Sequence, residues 1–78
     1  MIKANIKLPT IEAVKEFVGY TMSCPYETYI KAGRYVVDAK SIMGIFSLDL
    51  EDTITVCVEC EDGEGTDFME QIAKFCVE

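Results

Sequence analysis

The stretch Asp52–Asp62, DTITVCVECED, alternates. In an extended chain successive side chains point to opposite faces. Ile54, Val56, Val58 and Cys60 therefore share one face, and Thr55, Cys57, Glu59 and Glu61 share the other. A strand with one apolar face belongs to a sheet covered on one side, the usual state of an antiparallel sheet. The same period returns in IKANIKL, Ile2–Leu8: Ile2, Ala4, Ile6 and Leu8 lie opposite Lys3, Asn5 and Lys7. YETYIKAGRYVVDA, Tyr26–Ala39, reads as a hairpin, two β-rich runs flanking Ala32-Gly33, with Gly33 freeing the backbone to turn.

Between the strands the period changes to that of a helix. Thr10 is a candidate cap for a helix that runs to about Ser23, with Glu12 in its first turn. Ile11, Val14, Phe17, Val18, Thr21 and Met22 form its apolar stripe, and Pro25 follows its end. SIMGIFSLDL, Ser41–Leu50, reads as a short helix with Ser41 at the N-cap. TDFMEQIAKFCVE, Thr66–Glu78, reads as a terminal helix capped by Thr66 or Asp67. Its stripe is Phe68, Met69, Ile72, Ala73, Phe75 and Cys76. The expected order is β-α-β-β-α-β-α in one domain over residues 1–78. This is an α+β architecture, with three helices on one face of a mainly antiparallel four-stranded sheet.

Composition removes several classes of function. Seven Lys and Arg stand against fourteen Asp and Glu, a net charge of −7 in 78 residues. Nucleic acids and anionic membranes call for the opposite balance. No apolar run approaches the roughly 18 residues that cross a bilayer. MIKANIKLP has no long apolar core and no cleavage pattern of a signal peptide. A soluble, cytoplasmic protein is expected, with its four cysteines, Cys24, Cys57, Cys60 and Cys76, as free thiols.

Catalysis has little to draw on. The sequence contains no histidine, hence neither the usual base near neutral pH nor the commonest metal ligand. Cys57 and Cys60 match C-x-x-C, but within a strand a spacing of three sets them on opposite faces. Cys60 is expected in the core, and Cys57 against solvent or a neighbouring chain. The acidic run ECEDGEGTD lacks the ligand periodicity of a calcium loop and reads as a solvated turn. No cofactor, no metal and no enzymatic activity are expected.

KSIMGIFSL, Lys40–Leu48, holds more. Ile42 pairs with Phe46 and Ile45 with Leu48 on two sides of one short helix, with Met43 between them. One side faces the sheet. The other, with Met43 and part of Ile42 or Phe46, is expected as an exposed apolar patch suited to docking. Gly44 suits close packing against backbone or the approach of a partner. Ser41 caps the helix, and the same position suits a phosphate, which would bring nearly two negative charges to the patch.

KSIMGIFSL also resembles the regulatory-serine segment of HPr, the phosphocarrier family of the bacterial phosphoenolpyruvate-dependent sugar phosphotransferase system. The order of elements is similar to that of the HPr fold, an open-faced β-sandwich. HPr proteins carry G-I-H-A-R-P between the first strand and first helix, where the histidine receives phosphate from Enzyme I. This chain has LPTIEAV there, with Thr10, Ile11, Glu12 and Ala13 in place of the histidine and arginine. The resemblance implies that phosphotransfer by the family route is lost. It also implies that Ser41 corresponds to the serine modified by HPr kinase/phosphorylase, and that Lys40, Ile42, Met43, Phe46 and Ser47 form the partner-binding surface. The catabolite-repression HPr relative likewise lacks the histidine and acts through the serine.

The expected function is a non-catalytic, HPr-like regulatory or adaptor protein that docks protein partners through the Ser41 helix, gated by phosphorylation of Ser41. HPr kinase/phosphorylase and a transcriptional regulator are the candidate partners. The alternatives are an HPr-fold assembly module without phosphorylation, a phosphocarrier with a non-histidine acceptor, and a thiol oxidoreductase built on Cys57 and Cys60.

Overall fold

A computed structural model of the chain describes residues 1–48, 50–61 and 63–77. Asp49, Asp62 and Glu78, which the sequence places in the tail of the Ser41 helix, the acidic turn and the terminal helix, lie outside the described residues. Among the described residues the order is β1 (Ile2–Ile6), α1 (Ile11–Ser23), β2 (Glu27–Ala32), β3 (Tyr35–Asp38), α2 (Ile42–Phe46), β4 (Ile54–Glu59) and α3 (Thr66–Ile72). A 3-10 turn, Ala73–Phe75, follows α3. The sheet runs β1-β4-β2-β3, every neighbouring pair antiparallel. No helix among the described residues is long and apolar enough to cross a membrane.

Alternation decides which face is buried. Ile54, Val56 and Val58 of β4, Ile6 of β1 and Ile30 of β2 are sealed from solvent beneath the helices. Val14 and Phe17 of α1, Ile45 of α2 and Phe68 and Ile72 of α3 meet them from above. Thr21 faces the same interior without leaving a polar atom stranded, since its hydroxyl lies 2.7 Å from the Val18 carbonyl and 3.1 Å from that of Ala39. The hairpin turns at Gly33 and Arg34, and Gly33 has a φ of +61°. Thr10 caps α1 as expected, its hydroxyl accepting from the Ala13 amide at 3.0 Å.

The apolar stripe of α1 is narrower than the sequence suggests. Val14, Phe17 and Thr21 are buried, but Ile11 and Met22, at its two ends, are exposed. Both helices expected downstream are shorter than their patterns. α2 stops at Phe46 because Ser47 turns back on it, the Ser47 hydroxyl donating to the Gly44 carbonyl at 2.6 Å. The Leu48 amide then bonds Ile45, three residues back, which tightens the last turn. α3 starts after Gly65 with no side-chain cap, so neither Thr66 nor Asp67 serves as one.

α3 ends at Ile72 because the free edge of β1 claims the tail. The Lys7 amide donates to the Phe75 carbonyl at 3.0 Å, the Val77 amide donates to Asn5 at 2.8 Å, and Ile6 bridges Cys76. Pairing that edge offsets the loss of the last helical turn. The tail is also pinned to α1, where Lys74 pairs with the Glu16 carboxylate and the Tyr20 hydroxyl donates to it at 2.7 Å. The hydrogen bond from Lys74, then that from Tyr20, holds the Glu16 carboxyl below its ordinary value, and the bond to Glu16 raises Lys74.

Two glycines are expected to respond oppositely to alanine. Gly65 has a φ of +77°, and a Cβ there would lie 3.1 Å from Ile2 Cδ1 and 3.2 Å from Cys60 Sγ. Gly65→Ala is expected to cost about 1–3 kcal/mol. Gly19, on the exposed side of α1, has nothing within 4 Å of that position. Gly19→Ala is expected to stabilise by about 0.5–1 kcal/mol. Urea unfolding of the two variants checks the pair of signs.

Candidate functional site

β3 delivers the chain directly into the Ser41 segment. Asp38 ends the strand and organises the turn beyond it. Its carboxylate accepts the Lys40 amide at 2.9 Å, and its carbonyl accepts the Ser41 amide at 3.0 Å. Ala39, between them, is buried. Ser41 thus reaches the head of α2 in extended geometry, φ −97° and ψ 102°. Its hydroxyl accepts from the Gly44 amide at 3.2 Å and remains on the surface.

Gly44 leaves room for the hydroxyl that caps α2. A Cβ there would lie 3.3 Å from Ser41 Oγ and 3.5 Å from the Val37 Cβ of β3. The first distance is tight and the second is ordinary van der Waals contact, so the glycine spares the Ser41 cap rather than drawing α2 closer to β3. Ile45 is the fully buried residue of the helix, while Ile42 and Leu48 are half-buried. Met43 is 76% exposed and Phe46 40% exposed. Lys40 is half-buried and Ser47 exposed. The structure brings Lys40, Ser41, Ile42, Met43, Phe46 and Ser47 together on one short surface segment.

The surface extends beyond α2. Phe46 and Leu50 form one wall of a groove of about 440 Å³, and Leu8, Pro9, Thr10 and Ile11 form the other. Val14 also lines it, and Lys7 and Glu51 supply charge. Leu8, Pro9 and Ile11 belong to the LPTIEAV stretch that stands where HPr proteins carry the histidine, and the sequence gives Leu50 no part in a site. Ile11 is instead 59% exposed at the groove. Its helical spacing matched the core stripe, and only its place in the first turn of α1 could have warned that it overhangs the sheet. Thr10 also stands in the groove, exposed, its hydroxyl accepting one amide as the cap of α1 just as that of Ser41 does for α2.

The thiols do not converge. Cys60 Sγ donates to the Glu64 carbonyl at 3.6 Å on the core side, and Cys57 occupies the other face of β4. The four cysteines are free. Cys57 departs from the expectation of a solvent-facing thiol, because it is 0% exposed. Its cross-strand neighbours are Lys3 and Tyr29, and the Tyr29 hydroxyl reaches Met1 Sδ at 3.7 Å, from one side of β4 to the other. A small side chain between two long ones is covered even on an open sheet face. Burial raises the Tyr29 phenol above its ordinary value.

A family model described as the PTS HPr component phosphorylation site matches residues 11–78. The chain belongs to the HPr family. Two solved structures share its fold. HPr-C-His from Thermoanaerobacter tengcongensis is 21% identical, with 95% of this chain and 89% of that chain covered and a TM-score of 0.77. The phosphocarrier protein HPr from Bacillus anthracis str. Ames is 23% identical, with 97% and 96% covered and a TM-score of 0.72. A search of curated proteins found no match. The matched residues run from α1 to the end of the chain and leave out β1 and Pro9-Thr10. The groove between Thr10 and Phe46 thus joins a segment inside the HPr match to one outside it.

Proposed function

We infer that residues 1–78 form one HPr-like domain that works in the cytoplasm as a non-catalytic regulatory or adaptor protein. It docks protein partners through α2 and is gated by phosphate on Ser41. One observation carries this reading: Ser41, Met43 and Phe46 stay on the surface of an HPr chain that has no histidine. The acceptor expected of a carrier in this family is missing, while the serine and its apolar neighbours remain available. HPr kinase/phosphorylase is the modifying partner, and a transcriptional regulator is the candidate reader.

In the modification step the Ser41 oxygen bonds to the γ-phosphorus of ATP, ADP leaves, and the hydroxyl proton passes to a base of the kinase. The product adds nearly two negative charges beside Met43, and a partner with an arginine facing that position gains a charge-assisted bond. Incubation with HPr kinase/phosphorylase and ATP, followed by intact mass, is expected to show a gain of about 80 Da, one phosphoryl group. Ser41→Ala is expected to abolish it. An unchanged mass, or an adduct that persists in Ser41→Ala, removes the gate. The exposure of Met43 does not depend on phosphate, so a phosphate-independent docking module is the second reading.

A further inference from the structure

The two edges of the sheet differ. The outer edge of β1 is covered by the C-terminal segment through Lys7, Asn5 and the Ile6–Cys76 bridge. The outer edge of β3 carries Tyr35, 70% exposed, and Val36, 59% exposed. Ala32 faces Tyr35 across a two-residue turn, so Tyr35 and Val37 exchange bonds with β2, and Val36 turns its N–H and C=O outward. Among the described residues no backbone bond takes up those two groups. Tyr35–Asp38 contains no lysine, proline or bulge; its short length and the charge of Asp38 are the only guards that this edge carries.

We propose that β3 is a self-complementary edge through which two copies of this chain pair, antiparallel, about a two-fold axis at Val36. Charge selects this occupant and this register. Outward-facing residues must meet outward-facing residues, which sets Val36 opposite Arg34, a register that forms no ion pair, or opposite either Val36 or Asp38 of the second copy. The register on Asp38 brings Arg34 against Lys40, two like charges. The register on Val36 brings Arg34 opposite Asp38 of the second copy, once on each side of the axis. Arg34 and Asp38 are both exposed. One carboxylate oxygen of Asp38 accepts the Lys40 amide, which leaves the other for an arginine. The valines meet between the two ion pairs and exchange both of their outward backbone bonds across the axis, Tyr35 lies opposite Val37 of the second copy, and the Asp38 carbonyl, which already accepts the Ser41 amide, ends the ladder on each side. A four-residue edge buries less than the roughly 1,200 Å² of a tight interface, so the pairing is weak and concentration-dependent.

Sedimentation equilibrium of the whole chain between about 10 µM and 1 mM tests it. Salt of about 0.15 M screens the repulsion between two acidic copies beyond roughly 8 Å. The average mass is expected to rise from one chain towards two. Arg34→Glu and Asp38→Arg are each expected to weaken pairing at least about tenfold, since both leave like charges face to face. An equimolar mixture of the two variants is expected to pair again, because each then supplies the opposite charge at both contacts. Circular dichroism confirms folding of each. Val36→Lys, at an exposed position away from the turn, sets two lysines on the axis and is expected to abolish pairing even if Asp38→Arg disturbs the turn. A wild-type mass of one chain throughout overturns the proposal, including where the edge instead binds an extended segment of another protein. So does a dimer that survives both charge reversals and Val36→Lys.

Discussion

Phe17→Ala is expected to lower the unfolding free energy by about 3–5 kcal/mol, a large share of the roughly 5–15 kcal/mol that holds a domain together. Phe17 is 0% exposed. Its ring lies 6.4 Å from Phe68 in a tilted arrangement and 6.3 Å from Phe75 edge-on. One side chain therefore fastens α1 to α3 and to the 3-10 turn that feeds the tail onto β1. Truncation removes the buried area, both ring contacts and the support beneath the turn whose Phe75 carbonyl accepts the Lys7 amide. Phe17→Leu keeps most of the apolar volume and is expected to cost clearly less. Urea unfolding checks both, and a loss below about 1 kcal/mol for the alanine variant would contradict the placement of Phe17 at the centre of the core.

The architecture was legible because it rests on periodicity. β1 and β4 each carry four alternating positions, and α1 carries three turns of stripe between a capping threonine and a proline. Where the reading failed, tertiary contacts displaced local pattern. Phe75 and Cys76 continue the α3 stripe in sequence, yet backbone pairing with Asn5, Ile6 and Lys7 pulls the tail out of the helix. Leu48 and Leu50 continue α2 in sequence, yet the Ser47 hydroxyl closes it early. Cys57 was misplaced because alternation names a face but not what lies across it, here Tyr29. At the candidate site the Ser41 cap and the exposure of Met43 were readable from one short motif. The groove was not, since its walls, Leu8 to Ile11 and Phe46 with Leu50, are far apart in sequence.

Met43→Asp and Phe46→Asp separate docking from folding, and the first is expected to act on docking alone. Met43 projects into solvent, so a charge there leaves stability within about 0.5 kcal/mol. If α2 is the surface that a kinase or reader covers, the same aspartate must be desolvated against an apolar partner and repels phosphate on Ser41. The specificity constant of HPr kinase/phosphorylase for Ser41 is expected to fall about 30-fold, the scale of one hot-spot residue at about 2 kcal/mol. Phe46 differs because it also walls the groove over Leu8 and Val14. Phe46→Asp is therefore expected to lower both the melting temperature and the kinase rate, and the rate alone says little about recognition. Thermal melts and initial rates on the same preparations resolve the two effects. A Met43→Asp protein phosphorylated within about threefold of wild type would mean that the kinase reads Ser41 without covering α2. The exposed methionine would then have to be explained by something other than this partner.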